Sequence, residues 1–206
     1  MPLRSLLIVG TFALRLPRGA VHVRAALARF LKTLLLAVLL ATAAHADTIT
    51  VQSAEVRIEE DGYYLNADFD FTINPTLEEA LHKGVPLYFL LEFEVTRPRW
   101  YWFDDKIVTY STQYRVSYTP LTRQYRVSMG LLNQNFDSLE EVQRLLSRVT
   151  SRQVARRDQL PRNTHLEAAV RLRLDVNQLP KPFQVYALAS REWSLQSDWY
   201  RWEFGT

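Results

Sequence analysis

The chain has 206 residues, 48% hydrophobic and 23% charged, with a formal net charge of +3 and no cysteine. The missing thiols exclude disulfides and a cysteine-linked lipid anchor. Six glycines, none in a phosphate-loop pattern, exclude glycine-rich nucleotide binding.

The first 46 residues hold six basic residues (Arg4, Arg15, Arg18, Arg24, Arg29, Lys32) and no acid. The apolar run Thr33 to Ala43 follows, and Ala44-His45-Ala46 places small residues at −3 and −1 of a cut. This pattern predicts a signal peptide over 1–46, cleavage between Ala46 and Asp47, and a periplasmic domain over 47–206. The run is about half the ~20 residues that span a bilayer. The leader is long for a signal, and Leu6 to Leu14 is a second apolar patch. As a hypothesis, translation starts nearer Val21 or Val23; the intact mass of the precursor tests it. Without the leader, Lys and Arg fall from 25 to 19 against 22 acids, a net charge near −3. Nucleic-acid binding then loses its electrostatic support.

Along the remaining chain, apolar and polar residues alternate with period two, the pattern of strands with one buried face. A strand is expected over 49–59, followed by Asp61-Gly62 as a hairpin turn. Tyr63, Leu65, Ala67, Phe69, Phe71 and Ile73 then share one face. Thr76-x-x-Glu79 reads as a capping box opening a helix that ends at Gly84. Further strands are expected over 87–96, 107–118 and 124–129. Ser138-x-x-Glu141 opens a second helix, with Leu139, Val142, Leu145, Leu146 and Val149 on one stripe. Strands over 166–176 and 193–204 complete about seven, in a mainly β antiparallel sandwich with two short helices. A small outer-membrane barrel is the rival architecture; the capped helices and charged connections fit it poorly.

The pattern assigns no catalytic residue and no cofactor. His82 and His165 are far apart, without cysteine, and read as surface histidines rather than metal ligands. Asp68/Asp70, Glu92/Glu94 and Asp104/Asp105 are carboxylate pairs. Two positions apart on a strand, such groups sit about 6.5–7 Å from each other, a spacing glycoside hydrolysis also uses. Acids on the polar face of a strand are the plainer reading, which leaves a carboxylate-pair hydrolase as the lesser alternative.

Two clusters are candidate binding surfaces. Arg144, Arg148, Arg152 and Arg156 are spaced by four. They would form one basic stripe for an anionic partner, including a peripheral membrane surface, if the second helix ran on to Ala155. The stretch RPRWYWFDD holds Arg97, Arg99, Trp100, Trp102, Asp104 and Asp105. Pro98 breaks the ladder there, so the aromatics belong to a strand connection. With Arg123, Trp199, Arg201 and Trp202 they form an arginine–aromatic surface, or else a structural corner.

RPRWYWFDD, LTRQYRVS (Leu121 to Ser128), LRLDVNQLPKPFQV (Leu172 to Val185) and EWSLQSDWYRW (Glu192 to Trp202) resemble the signature stretches of the bacterial family called domain of unknown function 4390. The resemblance covers essentially the whole mature region and implies an exported protein. It supplies no activity and no functional residues. Members are often encoded near a two-component sensor kinase, so it implies an envelope protein of that kind as partner, by association alone. The expected function is a non-enzymatic, protein-binding accessory domain, with cell-wall glycan binding through the five tryptophans as the alternative.

Overall fold

Alternation becomes burial wherever the period is clean. In β2 (Gly62–Asp70), Tyr63, Leu65, Ala67 and Phe69 are buried, while Tyr64, Asn66 and Asp68 are only half-buried and Asp70 is exposed. The computed structural model describes residues 48–99, 101, 105–161 and 164–205, all within one compact unit, Ala46–Thr206. The expected signal peptide and its cut lie outside the described residues, as do Trp100, Trp102 and Asp104.

The described residues form nine strands in two antiparallel sheets. One has three strands in the order β1 (Thr50–Ile58), β2, β7 (Arg148–Arg156). The other has six, ordered β6 (Leu132–Phe136), β5 (Gln124–Met129), β4 (Asp105–Thr119), β3 (Leu87–Arg97), β8 (His165–Leu174) and β9 (Tyr200–Gly205). The arrangement is a sandwich of two separate sheets, not a closed barrel. Phe89, Leu91 and Phe93 of β3 and Leu166, Val170 and Leu172 of β8 face the core from the larger sheet. Phe71 meets Phe89 across it, with ring centres 5.9 Å apart. Burying side chains of this size stabilises by about 1.5–3 kcal/mol each.

Three α-helices are described: α1 (Pro75–His82), α2 (Leu139–Ser147) and α3 (Lys181–Ala189). The cap of α1 is Asn74, not Thr76; its side chain accepts from Leu77 N at 3.0 Å, and Thr76 Oγ1 instead donates to Glu192. Gly84, at φ +82°, follows the helix end as expected. Ser138 does cap α2, accepting from Glu141 N at 3.3 Å. The run over 193–204 is only partly strand: a 3-10 turn, Arg191–Trp193, buries Trp193, and Ser197 then bonds Leu172 through N and Oγ before β9 begins. The Asp61-Gly62 hairpin forms, but Gly62 does not need a positive φ. A Cβ on Gly62 would lie 2.5 Å from the Ala155 carbonyl oxygen of β7, so glycine is required for clearance.

Candidate functional site

Each sheet ends in strands with one unpaired edge, and residues of two such edge strands, β6 and β7, line one groove. Helix α2 joins them in sequence and packs on both sheets through Leu139, Val142 and Leu146. Beside it lies an open groove of about 670 Å³. Its floor is apolar: Tyr114, Val127 and Met129 from β4 and β5, with Val149 opposite. Gln134 of β6 and Thr150 of β7 add an amide and a hydroxyl to the walls, while the Asn133 amide faces the other way and accepts from Ser128. Leu132, 68% exposed, and Leu145 stand at its margin.

A bulge in β7 sets the charge of this groove. Val149 pairs with Ala67 and Arg152 with Leu65, so Thr150 and Ser151 together oppose Asn66. Ser151 takes φ +47°, and its amide donates to Asn66 Oδ1 at 2.8 Å. Leu65 faces the core, so its partner Arg152 faces inward as well. The Arg152 guanidinium lies 3.1 Å from Met129 Sδ. Burial pushes the Tyr114 hydroxyl above its ordinary pKa, and the Arg152 charge beside it opposes that rise.

The four arginines therefore do not form one helical stripe. Helix α2 stops at Ser147, leaving Arg144 on the helix and the other three on β7. Arg144, Arg148 and Arg152 nevertheless line the same groove. Arg148 pairs with Asp68 at 3.2 Å, Arg144 with Glu141 at 3.7 Å, and Arg156 with Asp158 at 3.5 Å, outside the groove. Among the described residues no carboxylate forms an ion pair with Arg152. Arg152 is half-buried, and a cation beside a thioether and a phenol in an open groove attracts an anion that can reach it.

The second candidate surface is divided. Arg99 pairs with Asp105 at 2.8 Å in the β3–β4 connection, where Tyr101 is 65% exposed. Arg97 is half-buried, and its Nε is buried without a hydrogen bond among the described residues. Arg123, at φ +55°, sits in the β4–β5 turn at the other end of β4. Trp202 faces inward on Phe93, with ring centres 6.3 Å apart. Trp199 lies under the Arg171 guanidinium at 4.5 Å, and Arg201 pairs with Glu167 at 2.9 Å. Trp193 is buried, and neighbouring side chains pack on the half-buried Trp199 and Trp202.

Residues 46–203 match the family described as Domain of unknown function (DUF4390). The chain belongs to this family. The DUF4390 match spans both sheets up to Glu203 of β9, all three described helices and every residue of the groove. Neither the curated proteins nor the solved structures contain a match to the chain.

Within this DUF4390 domain Glu92, Glu94, Asp68 and Asp105 of the carboxylate pairs are held by cations. Glu92 accepts from Arg171 at 2.6 Å and from Arg173 at 2.9 Å. Burial alone would raise the Glu92 pKa, but those hydrogen bonds and charges outweigh it and hold the carboxyl below its usual range. That is the opposite of what a general acid needs. Glu94 is buried against Lys106 at 2.6 Å, and Asp68 is taken by Arg148 and Ser53. His82 bonds the Tyr125 hydroxyl at 2.9 Å and packs on Tyr118; His165 stands 3.1 Å from Glu203. The groove residues Tyr114, Val127 and Met129 have no site signal in the sequence, since their alternation is that of ordinary core. Only the arginine spacing pointed towards this region.

Proposed function

We propose that this domain is a non-enzymatic accessory domain of the periplasm that docks a protein partner in the groove between β6 and β7. The observation that carries the reading is the groove itself: an apolar floor lying open between two unpaired sheet edges. Free edges are the usual template for strand addition by another chain. Leu131 and Leu132, 98% and 68% exposed at the β5–β6 turn, add apolar area that a partner would cover. The basic, apolar and small-residue order of the leader, followed by a family match that begins at residue 46, supports export.

The test is in-cell photo-crosslinking with the reactive residue at Leu132 and controls at Ser111 and Gln113, exposed on the outer face of the larger sheet. A discrete protein adduct confined to position 132 is the expected result. Equal labelling at all three positions, or none at 132 in folded, exported protein, would sink the reading.

A further inference from the structure

We infer that the docked partner supplies an extended segment that adds to the free edge of β6 and places a carboxylate on Arg152. The inference rests on the groove reading above and names the chemistry of what fills it.

Three observations converge on that occupant. The first is the orientation of Arg152. A regular β7 would alternate sides; instead a bulge with a non-glycine residue at φ +47° turns this guanidinium inward, where Met129 Sδ is its neighbour at 3.1 Å. Arg144 and Arg148 already have acidic neighbours, whereas Arg152 has no ion-pair partner among the described residues. A cation held in such a setting favours an anion that arrives with its own desolvated surroundings.

The second is the lining. Gln134, opposite Val127, and Thr150 stand beside the apolar floor, while Asn133 turns to the other face of β6 and accepts from Ser128. An acyl chain laid over them would strip water from the exposed Gln134 amide and Thr150 hydroxyl without replacing it, whereas a peptide main chain offers N–H and C=O groups to them. The third is the edge of β6. A strand laid along it continues the six-stranded sheet, and alternate side chains of that strand turn to the inner face. That is the face on which Val127, Met129 and Arg152 lie. The segment therefore carries an acidic and an apolar side chain on one side.

The experiment compares the Leu132 photo-adduct in wild-type full-length protein, in Arg152→Met and in Arg152→Lys. Thermal melts confirm that each variant is folded. Arg152→Met should reduce the adduct about tenfold or more, while Arg152→Lys largely retains it. A zero-length carbodiimide should then join the introduced amine of Arg152→Lys to an Asp, a Glu or a C-terminal carboxylate of the same adduct protein. An adduct that persists undiminished in folded Arg152→Met overturns the carboxylate inference and leaves protein docking standing. An adduct whose mass is that of a lipid overturns it in favour of an amphiphile. Absence of any adduct at 132 in the wild type overturns the docking reading itself.

Discussion

Arg171 donates to Glu92 at 2.6 Å across the β8–β3 pair, and the same guanidinium lies 4.5 Å over the Trp199 ring. One side chain thus ties the middle of the larger sheet to the segment that leads into β9. Arg173 shares the Glu92 carboxylate at 2.9 Å, so removing that acid leaves two half-buried cations with one fewer partner. Glu92→Ala should cost about 1–3 kcal/mol in urea unfolding, above the range of an exposed pair. A loss below about 0.5 kcal/mol would show the pair to be screened surface charge.

The same carboxylate predicts an acid limb of stability. Its folded pKa is depressed below the unfolded value of about 4.3. Its contribution is therefore fully present above that value and is lost as pH falls through the folded pKa. The urea midpoint should decline on acidification below about pH 4.3, and decline less steeply in Glu92→Gln. Identical slopes in the two proteins would assign the acid limb to other groups.

Gly62→Ala should be among the more damaging single-methyl additions in the domain. The new Cβ would sit 2.5 Å from the Ala155 carbonyl oxygen, a backbone atom held in the β2–β7 ladder. Relief requires the two strands to part, at about 1–3 kcal/mol. Gly84→Ala meets no atom within 4 Å but sits at φ +82°. It should lose about 1–2 kcal/mol through backbone strain alone. Urea unfolding of both proteins separates the two causes, because Gly84→Asn should recover part of its loss and Gly62→Asn none.

Ser151→Gly should stabilise by about 0.5–1 kcal/mol if relief of the left-handed backbone outweighs the extra freedom of the unfolded chain. Asn66→Ala, which removes the acceptor for the Ser151 amide, should cost about 1 kcal/mol. It should also loosen Arg152, seen as a change in Tyr114 absorbance on alkaline titration. An unchanged Tyr114 titration would separate the bulge from the groove.

Period two made β2, β4 and β8 legible because each buries one face only. The same signal is weak for β6, LNQNF, which is only five residues long, mostly exposed, and has Gln134 between the two apolar residues of its inner face. In β7 the bulge breaks the alternation, and Leu139, Val142, Leu146 and Val149 continue a helical spacing past the true end of α2. Hydrogen bonding to β2 decides the matter in favour of strand, and no local residue announces it. Helix α3 starts between two prolines, Pro180 at its cap and Pro182 in its first turn, and has a weak apolar face. As for the groove, four arginines at equal spacing look alike in sequence. What distinguishes Arg152 is a two-against-one pairing with Asn66, a relation between strands more than eighty residues apart.

The strand order has a kinetic consequence. β3 lies between β4 and β8, and Arg171 is 79 positions from the glutamate it binds. The meander from β3 to β6 closes through neighbouring hairpins. The far side of β3 stays open until Leu174 has been made and brought back over a long loop. Pairings of such separation place a β protein in the millisecond-to-second range of folding times. The domain gains its full core only when its last quarter arrives, so the growing chain remains pliable almost to its end.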